Sequence, residues 1–139
     1  MCIRDSLGSL FNHSERRLPE DILINTLACA QKASLIRVVC GEDIKEIEHF
    51  AQYDPDFLAF EPPELIGSSS KSVATEKPDS IAEAVSASGH IPLLVGAGIS
   101  TAEDIAVSLK LGAQGFLVAS AITKAKNPKK VLTELVSAF

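Results

Sequence analysis

The sequence predicts an α/β protein of about five βα units with parallel strands. Three observations predict it. Short apolar, β-branched runs alternate with longer stretches whose apolar residues recur at helical spacing. The short runs are apolar throughout instead of at every second residue, as in strands buried on both faces of a parallel sheet. Prolines, glycines and a capping pattern fall where the longer stretches should start or stop.

The elements follow in order. Leu7 to Phe11 is a short apolar run. Pro19 to Ala33 reads as a helix, with Pro19 in its first turn and an apolar stripe of Ile22, Leu23, Leu27 and Ala30. Leu35 to Cys40 is a β-branched buried strand. Glu42 to Gln52 is a short amphipathic helix with Ile44, Ile47 and Ala51 inward. Phe57 to Phe60 is a strand that ends at Glu61. Asp79 to Ser88 is a helix carrying Ile81, Ala84 and Val85, and Ile91 to Val95 is a strand. Ser100 to Leu111 is a helix opened by a capping box of Ser100 and Glu103 and stopped at Gly112. Gly115 to Val118 is the last strand, and Asn127 to Ala138, with Pro128 at its start, the last helix.

Two architectures accommodate this series: a five-stranded doubly wound sheet, or part of a (β/α)8 barrel. A whole barrel takes roughly 25–30 residues per unit, so 139 residues supply about five of eight units. In both, ligands bind at the C-terminal ends of the strands, where every candidate site residue falls.

Composition narrows the function. Apolar residues make up 46% and charged residues 22%, the balance of a chain with a core. A net charge of −5 argues against nucleic acid or an anionic membrane as partner, since both need a basic face. A phosphate remains open, because backbone N–H groups at helix N-termini attract anions without formal charge. No apolar stretch approaches the roughly 20 residues of a membrane span. Cys2, Cys29 and Cys40 are too scattered for a disulfide framework or a zinc site. Cys40 reads as a buried reduced thiol, which favours the cytoplasm.

Two runs carry the chemistry. Asn12-His13-Ser14-Glu15-Arg16-Arg17 offers an imidazole after the first strand; Glu15 and Arg16 equally suit a structural ion pair or an exposed capped turn. Glu61-Pro62-Pro63-Glu64-Leu65-Ile66-Gly67 offers a carboxylate after the third strand. A carboxylate on the wall of an apolar pocket suits a general base, and a neutral histidine suits polarisation of a carbonyl. The Pro-Pro pair, the apolar tip Leu65-Ile66 and the following Gly67 describe a lid, against the plainer reading of a surface loop that Ser68 to Ser72 supports. Gly96-Ala97-Gly98-Ile99-Ser100 joins a strand to a helix start, and Ala119-Ser120-Ala121 ends the last strand with small residues. Together they offer a phosphate cup. A dinucleotide fingerprint is rejected, because Thr101 stands where its last glycine belongs. His49 and His90 read as solvated.

On the motifs NHSERR, EPPELIG, GAGIS and FLVASAITKAKNP, residues 7–139 resemble the archaeal-type triosephosphate isomerases. The resemblance implies a partial TIM (β/α)8 barrel that starts near the fourth strand. It implies interconversion of dihydroxyacetone phosphate and glyceraldehyde 3-phosphate, in glycolysis and gluconeogenesis, with no cofactor and no metal. By motif match Glu61 is implied as the base and His13 as the electrophile, an assignment that belongs to the family and is carried over from it. Ile66, Gly67, Gly98, Ala119 and Ser120 match substrate-contacting positions, and Asn12 and Glu15 supporting ones. The implied partner is a small triose phosphate, with a homo-oligomer for the full-length form.

Three departures from the family pattern stand out. No residue matches the asparagine and catalytic lysine at the end of the family's first strand. Ser68-Ser69 and Ala121 replace expected glycines. Residues 1–6 match nothing in the family and read as foreign sequence joined to a truncated frame. The expectation is therefore an isomerase portion with little activity alone, and the alternative a non-catalytic phosphate-binding or assembly module with open strand edges.

Overall fold

The computed structural model describes residues 6–66 and 72–139. Its centre is one sheet of five strands: β1 (Gly8–Phe11), β2 (Ile36–Gly41), β3 (Phe57–Phe60), β4 (Leu93–Val95) and β5 (Gly115–Phe116). All neighbours are parallel and the spatial order is β1-β2-β3-β4-β5. A doubly wound sheet changes direction at a switch point, so its order is not sequential. The sequential order is that of consecutive barrel strands, and it decides between the two architectures. Among the described residues β1 and β5 do not pair with each other, so the barrel is partial.

The order also corrects an expectation about coverage. Right-handed crossovers between successive neighbours all place their helices on one side. Val39, Leu58 and Leu93 share a ladder row on that side and are at most 1% exposed. Leu10 and Ile36 belong to the opposite face and are 47% and 42% exposed. The sheet is thus covered by helices on one face, not both.

The helices are α1 (Glu20–Lys32), α2 (Ile44–Ala51), α3 (Val73–Glu76), α4 (Pro78–Ala87), α5 (Ala102–Lys110), α6 (Ser120–Thr123) and α7 (Pro128–Val136). Helix α1 buries Leu23, Leu27 and Ala30, but Ile22 is 46% exposed and lies off the stripe assigned to it. Helix α2 is capped by Asp43 and buries Ile47 and Phe50, with Ile44 and Ala51 at the edge of the core. Its periodicity was legible, but the aromatic that completes the face was not assigned. Helix α4 buries Ile81 and Ala84.

The expected cap of α5 is shifted by one residue. Thr101, not Ser100, is the N-cap, and Asp104, not Glu103, answers it. Both spacings satisfy the capping-box pattern; Asp104 prevails because its inward carboxylate accepts hydrogen bonds from Ser72, Ser100 and Thr101. Strands β4 and β5 are shorter than expected. Ile91 is held in the turn before β4 by a bond to the Ser88 carbonyl, and Pro92 has no N–H to donate. After Phe116, Leu117 still donates to the Val95 carbonyl, but the chain then leaves the sheet toward the cavity described next.

Candidate active site

The ladder sets the site beyond the C-terminal strand ends. Glu61 N donates to the Gly41 carbonyl at 3.0 Å, and Gly96 N to the Phe60 carbonyl at 3.1 Å. These bonds extend the pairing past β3 and β4 and lay the Glu61 side chain over Gly96. A Cβ at position 96 would stand 2.6 Å from Glu61 Cγ and 2.8 Å from its Cδ. Only glycine leaves room there for the carboxylate.

After β1 the chain turns sharply. Asn12 takes the left-handed conformation, φ 60°, which asparagine tolerates better than most residues. Its buried side chain accepts from Leu18 N at 2.9 Å and donates to the Cys40 carbonyl at 3.3 Å. Arg17 donates to the Asn12 carbonyl and pairs with Glu46 and Glu42, tying the turn to the start of α2. Asn12 therefore supports the loop and does not line the cavity. Between these anchors Ser14–Arg16 form a 3-10 turn with His13 as N-cap. His13 Nδ1 accepts from Glu15 N at 3.3 Å. A ring nitrogen that accepts leaves the other, Nε2, as the N–H of the neutral imidazole.

That Nε2 lies 3.5 Å from Glu61 Oε2. Glu61 is buried at 7% exposure, and Oε2 makes no hydrogen bond among the described residues. A buried carboxylate oxygen without a donor is uncommon and points to a group positioned for something other than stability. Beneath it lies Cys40, whose thiol is pushed up by burial and then by the Glu61 charge. It stays protonated, as expected of a buried reduced cysteine.

Glu61 and His13 open onto a cavity of about 690 Å³. Of the sequence-assigned residues, Glu15, Ile66, Gly98, Ala119 and Ser120 line it with them. Gly67, Ser68 and Ser69 lie outside the described residues. Of the expected apolar tip, Ile66 faces the cavity but Leu65 is buried in the core at 5% exposure. Glu15 makes no ion pair with Arg16 among the described residues; it stands exposed in the turn capped by His13, at the rim of the cavity.

Ala97 and Gly98 both take positive φ, 41° and 81°, where the chain bends around the cavity. Asp104 grips that turn from outside. Its carboxylate accepts from Ser100 N at 3.1 Å, Thr101 N at 2.9 Å, Thr101 Oγ1 at 2.8 Å and Ser72 Oγ at 2.5 Å. Burial opposes the Asp104 charge, but hydrogen bonds from Ser72, Ser100 and Thr101 outweigh it and hold the carboxyl below its ordinary value. Val73 N adds a bond to the Ala97 carbonyl at 3.2 Å. Asp104 escaped the sequence reading although Thr101-x-x-Asp104 fits the capping pattern. Lys124, also unassigned, lines the cavity, and no spacing signalled it.

The other histidines lie away from this cavity. His49 bonds with Glu20 and Tyr53 at 2.9 Å each, and His90 with Asp54 at 3.1 Å. Burial and the bond to Glu20 push the Tyr53 phenol up to about 12. Among the described residues no three side chains form a metal-binding group, and no helix is long and apolar enough to cross a membrane.

Comparison with known proteins decides the family. The triosephosphate isomerase family model matches residues 6–139. The chain belongs to the triosephosphate isomerase family. A triosephosphate isomerase of Thermoplasma volcanium is 45% identical over 132 residues, covering 94% of this chain and 62% of that protein. One of Cenarchaeum symbiosum is 40% identical over 135 residues, covering 95% and 60%. The chain thus spans about three fifths of the length of these curated relatives. Among solved structures, a thiamine phosphate pyrophosphorylase of Pyrococcus furiosus superposes with a TM-score of 0.69 at 19% identity, covering 96% of this chain and 59% of that one. An archaeal fructose 1,6-bisphosphate aldolase gives 0.67 at 17%, covering 85% and 50%. At such identities these two show the fold alone, and both extend well beyond the part that superposes.

Proposed function

We propose that these residues carry the base and the electrophile of a triosephosphate isomerase. The observation that carries the reading is Glu61 Oε2, a buried acceptor with no hydrogen bond among the described residues, 3.5 Å from His13 Nε2 at the wall of the cavity. In the proposed reaction Glu61 takes a proton from the carbon beside the carbonyl of dihydroxyacetone phosphate. His13, neutral with its proton on Nε2, donates a hydrogen bond to the carbonyl oxygen as it gains charge in the enediolate. Glu61 then returns the proton to the neighbouring carbon, giving glyceraldehyde 3-phosphate. Ile66 and Leu117 limit water on the apolar side, and the backbone of Gly98, Ala119 and Ser120 faces the phosphate. The chemistry is proton transfer within one substrate and calls for no cofactor. The unpaired Cys40 thiol supports a cytoplasmic setting, and the full-length form is proposed as a homo-oligomer.

None of the 139 residues matches the family's catalytic lysine. Loss of one such charge costs about 3–4 kcal/mol of transition-state stabilisation, or roughly a thousandfold in rate. We therefore expect this chain alone to turn over very slowly. A coupled isomerase assay and the affinity for a phosphorylated hydroxamate, a mimic of the enediolate, test the reading together. The expected result is weak or no turnover, with mimic binding that falls at least tenfold in Glu61→Gln and in His13→Gln. Turnover near that of the relatives, abolished by Glu61→Gln, would show the lysine to be dispensable. Mimic binding indifferent to both substitutions would remove Glu61 and His13 from the site.

An assembly module is the second reading, favoured by the exposure of Leu10, Ile36, Leu132 and Val136. Its expected signature is self-association with no turnover and with mimic binding that Glu61→Gln and His13→Gln leave unchanged.

A further inference from the structure

We propose that Lys124 is a substrate-binding residue that supplies the positive charge for the dianionic end of the ligand and so makes the cavity selective for phosphate esters. This rests on the isomerase reading and adds to it a residue that no motif assigned. Among the described residues lining the cavity, Glu15 and Glu61 are carboxylates and Lys124 is the single permanent cation. The molecule as a whole carries −5. A phosphate dianion entering this cavity would meet two carboxylates, and beside the uncharged backbone N–H groups Lys124 is the one side-chain charge among the described lining residues that offsets them.

Two further observations favour the lysine. Its ammonium makes no ion pair or hydrogen bond among the described residues, whereas Lys77 is paired with Glu64 and Lys130 lies 3.7 Å from Glu134. Its backbone is fixed to the cavity wall: Lys124 N donates to the Ser120 carbonyl at 3.1 Å, and Ser120 itself lines the cavity. The Lys124 side chain is exposed, so its replacement removes charge without removing packing. An uncharged three-carbon ketone gains nothing from this ammonium, which is why the residue bears on specificity.

The test is titration of the 139-residue chain with inorganic phosphate, followed by NMR shifts of the Gly98 and Ser120 amides. Lys124→Met should weaken binding about five- to tenfold and flatten its dependence on salt. Lys124→Arg should restore both. Lys110→Met, which removes the same charge from the end of α5 away from the cavity, should leave affinity unchanged. If Lys124→Met binds phosphate as the wild type does, or if Lys110→Met loses as much, the role of Lys124 is overturned while the phosphate cavity stands. If wild-type Gly98 and Ser120 do not respond to phosphate at all, the proposal and the phosphate-site reading fail together.

Discussion

Gly96 shows how much of a site can rest on an absent side chain. Glu61 occupies the space that a methyl group at position 96 would need. Gly96→Ala should displace the carboxylate from its place 3.5 Å from His13 Nε2. We expect affinity for the enediolate mimic to fall at least tenfold while the far-UV circular dichroism stays unchanged; unchanged affinity would mean that the carboxylate position is uncritical. Glu61 and His13 were legible in the sequence because a carboxylate and an imidazole announce themselves at the ends of apolar runs. Gly96 was read only as part of a turn, since its relation to Glu61 exists across two strands and nowhere along the chain. Lys124 was missed although it lies in the run FLVASAITKAKNP, four residues after Ser120: four lysines follow Ser120 within ten residues, and only the fold shows which of them lines the cavity.

At the scale of elements, Asp104 joins the start of α5, the turn around the cavity and Ser72, the N-cap of α3. Asp104→Ala would leave the Ser100 and Thr101 N–H groups and the Ser72 hydroxyl without their acceptor. The expected cost is about 2–3 kcal/mol in urea unfolding. A loss under 0.5 kcal/mol would show that water replaces the carboxylate. Folding lowers the Asp104 carboxyl below its ordinary value of 3.8. Its contribution is therefore fully present above about pH 4 and is lost as pH falls through the lower folded value. Asp104→Asn should flatten that acid limb; an acid limb identical to wild type would assign it to other carboxylates. Helix existence was legible from periodicity, but the cap register was not, because Ser100/Glu103 and Thr101/Asp104 satisfy the same pattern. The hydrogen bonds that Asp104 accepts from Ser72, Ser100 and Thr101 chose between them, against the cost of burying its charge.

At the scale of the molecule, the open sheet is the dominant fact. Strands β1 and β5 each lack a second neighbour among the described residues, and the uncovered face presents Leu10 and Ile36. Unpaired parallel edges beside exposed apolar side chains favour association. Sedimentation should show the chain associating as its concentration rises, with Leu10→Lys shifting it toward monomer. A monomeric wild type over the whole range would show that these edges are protected in solution.

The order of strands and helices, the apolar faces of α1, α2 and α4 and the residue types at the strand ends were determined by local pattern, since periodicity and turn chemistry act over a few residues. The sequence alone allowed both a doubly wound sheet and a partial barrel, and the motif resemblance leaned toward the barrel. Only the tertiary structure showed the sequential strand order, because which strand pairs with which is a choice among distant segments that each strand would accept. The same holds for the site. Sequence placed an acid and a histidine at strand ends, but ladder bonds, the gap above Gly96 and the Asn12 turn decided that they face one another across 3.5 Å.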